Sequence, residues 1–566
     1  MWQRNVFMIT VCIGGFGAIV VSLWPDNRIQ DPLDFNPQRV QTANFSHVIS
    51  DVEKEFQEHW NGVGLQHTRR APDLTIARRL SLGLTGTVPS LEEIRALEAI
   101  PAEDRVEWWV SHLLEDRRFA DYVAERFARA FVGVDNGPFI VFRRQRFVSW
   151  LSDQLFTNTP YNEIVHELIS GKGLWTDTPS VNFLTITVGQ NENGQPDPER
   201  LAARTTRAFL GMRIDCLQCH DNNLTEEFLL GSGDDVHDGM QQDFQQLAAF
   251  YTEARMSPRG ITDTLGRDYN FQYLYEKEEE LVPPVFPYLA NLQIHGESRR
   301  EKLATWVTHK QNRPFSRAIV NRVWALMFGK PLVEPIDDIP LAGFPKSHPK
   351  RWWKTDSPFP PGMEQLADDL VKHDYDLQRL IRIIASTSVF QLDSRDSEFV
   401  VTEQHQHAWA VFPLTRLRPE QMVGSIIQSC SLTTIDANAH VFTQILRDLE
   451  TKEFIRRYGD TGEDEFGEHG GTIPQRLIMM NGKMTHNKPR PNNLLLNAAG
   501  KILKLSSDDK TTVEVAFLVI FSRRPSARES AAFEKLLAGT KGRERREQIE
   551  ELYRRAFSTT EFAWSH

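Results

Sequence analysis

Two cysteines two residues apart, with a histidine directly after them, constrain this chain more than any other stretch: Cys216-Leu217-Gln218-Cys219-His220. At this spacing both thiols can bond the vinyl groups of a haem while the histidine ligates the iron, which would build one covalent haem c per chain into the fold. With 4 Cys and 17 His in 566 residues, composition alone would give the pattern roughly once in a thousand such chains. A Cys-x-x-Cys pair also suits zinc or a redox disulfide. The residues alone leave those readings, and inert packing, open.

A chain of 566 residues is too long for a single core and predicts two or three domains. Its formal charge of −11 argues against nucleic acid or an anionic lipid surface as the main partner, because both repel an acidic protein. Basic pairs such as Arg143-Arg144 and Arg299-Arg300 are expected on solvated helix faces. Cys12 sits in an apolar segment and Cys430 stands alone, so the cysteines do not form a disulfide scaffold.

The N-terminus points to a compartment. Residues 6–24 are apolar and uncharged, preceded by Arg4 and followed by Pro25-Asp26. That length spans a bilayer as a helix with its N-terminus inside. No clear cleavage site follows, so the expectation is a signal anchor over 1–25 and a Pro/Asn-rich tether over 26–44, with the body on the periplasmic side of the inner membrane. Export agrees with a haem attached covalently outside the membrane.

Beyond residue 45, apolar residues recur at three- and four-residue steps, so the body is expected to be mainly α, as two helical domains behind an N-terminal membrane anchor. Ser90 with Glu93, and Ser526 with Glu529, read as capping boxes. Residues 183–188 alternate like a strand. The charge run 276–280 and Pro283-Pro284 suggest a connector over 261–295. The expected division is therefore a cytochrome-like domain over 45–260, the connector, a C-terminal helical partner domain over 296–545 and a tail over 546–566.

Several segments resemble those of large exported planctomycete-type proteins that couple a cytochrome-like domain to a C-terminal partner domain, both of unknown activity. They include Arg-Arg-Leu-Ser-Leu-Gly-Leu-Thr-Gly at 78–86, Ala-Phe-Leu-Gly at 208–211 leading into the motif, and Leu-Ala-Ala-Phe-Tyr at 247–251. The block from Arg313 through Leu-Val-Glu-Pro-Ile-Asp-Asp at 332–338 is highly specific, and Tyr-Asp-Leu-Gln-Arg-Leu-Ile-Arg at 375–382 adds to it. The resemblance covers roughly 70–545. It implies export, a cytochrome-like role for the first domain and a mainly helical architecture. Relatives tend to carry a histidine two residues after the motif's own; here that position is Asn222, and the acidic 228–239 loop looks like an insertion.

Cys216 and Cys219 are thus the expected thioether residues and His220 the proximal ligand of the haem iron. His237 and Met240, with Met256 behind them, are candidates for the sixth ligand. A thioether there raises the potential relative to a second histidine. The expected task is electron transfer with a redox partner protein in the cell envelope; oligomeric state is not legible. The alternative is a haem-free envelope binding or scaffold module for polysaccharide or protein, with a disulfide or zinc at the motif. In that reading Trp352-Trp353 would stack on sugar rings. Asp234, Asp235 and Asp238 lack the spacing of a calcium loop, and no Gly-x-Ser-x-Gly, His-Glu-x-x-His or phosphate loop occurs. Asp337, Asp338 and His348 form a further polar candidate, and His469, Met479 and Met480 could approach the first domain.

Overall fold

The computed structural model describes residues 45–566 apart from 135–136, 139, 190–193, 223–228, 232–235, 275, 436–450, 460–465, 467–471, 483–497 and 507. The expected anchor and tether lie outside the described residues, as do Cys12, Asp234, Asp235 and His469. Among the described residues no helix is long and apolar enough to cross a membrane.

The architecture is mainly helical. Seven helices come first: α1 (Ser46–Val63), α2 (Asp73–Thr85), α3 (Leu91–Ala99), α4 (Arg105–Glu115), α5 (Arg117–Val132), α6 (Arg144–Phe156) and α7 (Tyr161–Ser170). Helix α8 (Pro198–Thr205) leads into the cysteine motif and α9 (Gln241–Ala248) returns from it. The second half holds α10 (Arg299–Val307), α11 (Arg313–Phe328), α12 (Met363–Lys372), α13 (Leu377–Ser386) and α14 (Pro419–Ser431). It closes with α15 (Ile473–Asn481), α16 (Ala498–Leu505), α17 (Asp509–Phe521), α18 (Ala527–Leu537) and α19 (Gly542–Phe557). Strands occur only as short antiparallel pairs among the described residues: β1 (Leu229–Leu230) with β2 (His237–Asp238), β3 (Ala254–Ser257) with β4 (Gly260–Asp263), β5 (Asn270–Phe271) with β6 (Glu280–Leu281), and β7 (Thr415–Arg416) with β8 (Trp564–Ser565).

Local chemistry starts the helices where the sequence says it should. The Ser90 hydroxyl accepts the Glu93 N–H at 3.0 Å and the Glu93 carboxylate accepts the Ser90 N–H at 2.8 Å, and Ser526 with Glu529 repeats the arrangement. Each box satisfies two otherwise orphaned donors.

The buried apolar side chains form two clusters. The larger runs from Val48 to Phe466, drawing on residues before, within and after 261–295, and takes in α11. Every residue from 314 to 328 is buried, so α11 is enclosed on all sides rather than amphipathic. Trp324 stacks on Phe328 at 4.3 Å and meets Trp409 edge-on at 5.5 Å. The smaller cluster joins α14, α17 and α19 to Leu82, Val88, Leu91 and Ile94, and residues 546–566 contribute Leu552, Tyr553, Phe557 and Phe562 to it.

Helix α2 belongs to both clusters. Buried Arg78 donates to the Ile520 carbonyl at 2.9 Å, while Arg79 donates to the Leu392 carbonyl at 2.7 Å and lies 3.7 Å from the Phe412 ring centroid. Burial pulls both guanidinium pKa values down, to about 10 and about 9.

Two local expectations are corrected. Residues 183–188 are not a strand: Asn182–Thr185 is a helical turn followed by further turns. The Asn182 carboxamide donates to the carbonyls of Trp175 and Pro179 and accepts the Arg143 N–H, so side-chain bonding overrides β propensity. Arg300 is not solvated but fully buried, bonded to Asp263 at 2.6 Å and to the carbonyls of Ile169 and Gly171. Arg144 is paired too, with Glu125 at 2.7 Å.

Candidate functional site

The approach to the motif is built by the end of α8. Asp197 caps this helix by accepting the N–H groups of Glu199 and Arg200, and Pro198 fills its first position. The next turn, Thr206–Leu210, widens to a π-helix and stops at Gly211, whose φ of 63° is left-handed. A Cβ at 211 would sit 3.2 Å from Ala318 Cβ on α11 and 3.3 Å from Ile339 Cδ1. Glycine is therefore required twice over, for its conformation and for the close approach of α11. Ile339 N–H donates to the Gly211 carbonyl at 2.8 Å.

The 313–338 block is what holds this turn. Asn321 on α11 is fully buried; its carboxamide donates to the Val333 and Ile336 carbonyls and accepts the Val333 N–H. That fixes the loop carrying Asp337. The Asp337 carboxylate, itself buried, receives Arg207 Nε at 3.0 Å and Arg213 Nε at 2.6 Å. The sequence groups Asp337 with Asp338 and His348 in a separate polar site; it is instead a clasp on the chain just ahead of the motif. Its neighbour Asp338 pairs with Lys350 at 2.7 Å, and His348 accepts the Lys350 N–H and meets the Phe344 ring edge-on, so these three residues do not converge.

The motif opens on a 3₁₀ turn, Asp215–Gln218. Leu217 is fully buried and pins it, while Cys216 and Cys219 are exposed free thiols. Partial burial pushes the Cys216 thiol up, and the Asp215 and Asp338 carboxylates add to the effect. A thiol raised in this way is a poor thiolate nucleophile, which weakens the redox-disulfide reading. The Asp215 carboxyl is also pushed up, by burial against the opposing pull of Arg207.

His220 is half-buried, and its Nδ1 lies 2.7 Å from the Asp221 carbonyl oxygen. Nδ1 must be the protonated nitrogen there, since a carbonyl can only accept. In the neutral ring the lone pair is then on Nε2, the tautomer that a metal-binding imidazole needs. Two free thiols and an imidazole within five residues are the donor types that a covalently held haem would use. Among the described residues no group of three His, Cys, Asp or Glu side chains, the motif's own included, converges to hold a metal ion.

Polar bonds tie the motif to the segment after it. Asn222 N–H donates to the Gly239 carbonyl at 2.9 Å and Gln241 N–H to Asp221 Oδ1 at 2.8 Å, so Met240 lies between two anchored neighbours and β2 comes alongside. His237 Nε2 is 3.1 Å from Asp243 Oδ1, and Asp243 Oδ2 accepts the Met240 N–H at 2.7 Å. His237 is thereby engaged at the start of α9, whereas the Met240 side chain is exposed. Met256 packs against the larger core.

The other candidates resolve into structure. Trp353 is buried and Trp352 is partly buried against the same core; their indole N–H groups donate to the carbonyls of Ser357 and Leu332. They are therefore not the exposed pair of rings that their basic flanking residues suggest. Met479 is buried in the smaller cluster and Met480 is exposed on α15. Asp238 lies exposed on β2, paired in register with Leu229.

Two family models match the chain. One, described as PSCyt2, a protein of unknown function (DUF1549), matches residues 51–255. The other, PSD1, a protein of unknown function (DUF1553), matches residues 299–450. No curated protein and no solved structure matches the chain.

Proposed function

The chain carries, in N-terminal and C-terminal positions, the pair of domains of unknown function typical of planctomycete-type proteins, and from that premise we propose that it is an exported, membrane-tethered c-type haem protein that transfers electrons in the cell envelope. The observation that carries the reading is the state of the motif. Both thiols are free and exposed, and the His220 imidazole is held with its Nε2 lone pair available.

Bound haem would supply a one-electron couple at iron. The residues' own tasks are attachment and orientation. Cys216 and Cys219 would hold the group covalently as thioethers. His220 Nε2 would hold the iron, its ring oriented by the Nδ1–H bond to the Asp221 carbonyl. Asp337, through Arg207 and Arg213, holds the motif against α11. Met240 rather than His237 would be the further residue to hold the iron in this reading, since its side chain is exposed whereas His237 Nε2 is engaged by Asp243. The apolar segment 6–24 would keep the body at the membrane.

Intact-mass measurement of the exported chain tests the attachment. The expected mass is polypeptide plus one haem, falling to polypeptide alone in the C216S/C219S chain. A bare polypeptide mass in both contradicts the proposal.

A further inference from the structure

Exposed large apolar side chains gather beside the motif. Leu229, Val236 and Met240 lie on or next to the β1–β2 pair, and Leu274 and Leu281 on the β5–β6 hairpin, with Leu281 63% exposed. Both strand pairs follow the motif in sequence, and Gln241 links the motif to the β5–β6 hairpin. The Gln241 side chain donates to the carbonyl of Gln218, the residue before Cys219, at 3.0 Å and accepts the Leu274 N–H at 3.2 Å. Tyr269, one residue before β5, donates to Gln245 at 2.6 Å on the helix that Gln241 starts.

The rim of this face is acidic. Glu276, Glu278, Glu279 and Glu280 are all exposed on the β5–β6 hairpin, and Asp238 is exposed on β2. Buried or clasping carboxylates elsewhere, such as Asp337 and Glu364, are paired with arginine. No ion pair engages these four glutamates among the described residues. With Lys277 among them the four glutamates still leave the run net negative, and an apolar centre with an acidic rim calls for a partner of opposite charge. Anionic lipid and a second copy of this chain, itself at −11, would be repelled.

We propose that this face is the docking surface for a second protein with a lysine-rich contact face, which exchanges electrons with the motif beside it. The electron exchange rests on reading the motif as a haem site; the docking itself does not. The carboxylates steer the encounter, and Leu229, Val236, Leu274 and Leu281 form the contact that brings the two redox centres close.

The test is calorimetric titration of the exported full-length chain with mitochondrial cytochrome c, a basic redox protein, at low and at physiological salt. The expected result is binding at low salt that weakens with added salt and weakens roughly tenfold or more in E276Q/E278Q/E279Q/E280Q. A L274S/L281S chain, checked for unaltered circular dichroism, should bind more weakly with the same salt dependence. Equal binding by the quadruple variant, or no binding at low salt, overturns the docking surface. The two readings fail separately: binding by a chain that carries no haem removes only the electron exchange, and covalent haem without binding removes only the docking.

Discussion

Asp337 Oδ1 accepts a hydrogen bond from Arg213 Nε at 2.6 Å, joining the loop after the buried helix α11 to the chain three residues ahead of Cys216. The second domain of the family pair thus reaches into the first at the motif. Replacing Asp337 by alanine should cost about 2 kcal/mol, because two guanidinium groups lose a buried partner. Urea denaturation checks this, and the yield of covalent haem per chain should fall with it.

Gly211 carries a separate, local requirement. Gly211→Ala should destabilise by about 1–2 kcal/mol, from the left-handed φ and from the contact with Ala318. Adding Ala318→Gly should restore only the steric part, and a double-mutant cycle by denaturant unfolding separates the two.

Acid stability should depend on Glu93. Burial alone would raise its carboxyl, but Arg118, His112 and the Ser90 N–H outweigh it and hold the group far below the usual carboxylate range. The unfolded chain therefore binds the proton more readily. The stabilisation is complete above about 4.5 and is lost as pH falls from there toward the folded value. Glu93→Gln should lower stability at pH 7 and flatten the acid limb, as read from urea midpoints between pH 7 and pH 3.

His59 should act in the same direction from the opposite chemistry. Burial, with Lys354 nearby, lowers its pKa to about 4 from 6.5. Protonation is thus favoured in the unfolded chain, and stability should be complete above 6.5 and lost as pH falls toward about 4. An NMR titration should find the imidazole neutral at pH 5, and His59→Gln should remove on the order of 2 kcal/mol of pH dependence across that window.

Local signals were the legible ones. The capping boxes at Ser90 and Ser526 form because their partners lie three residues away, and the helical periodicity carried the architecture. The motif was equally plain, since its chemistry is contained in five residues. What the sequence concealed depends on distant partners. Arg300 looks like a surface charge until Asp263 and the end of α7 close around it. Trp352 and Trp353 look exposed because their flanking residues are basic, yet they are packed against the larger core. Asp337 finds Arg207 and Arg213 more than a hundred residues back, and only the specificity of the 313–338 block hinted that it serves the motif.

The most direct test of the central claim is a pyridine haemochrome spectrum of the chain exported in a host with haem-ligation machinery, run beside C216S/C219S. The account predicts a c-type band that stays with the denatured polypeptide and vanishes in the double variant. Correctly exported, folded protein without that band would contradict it.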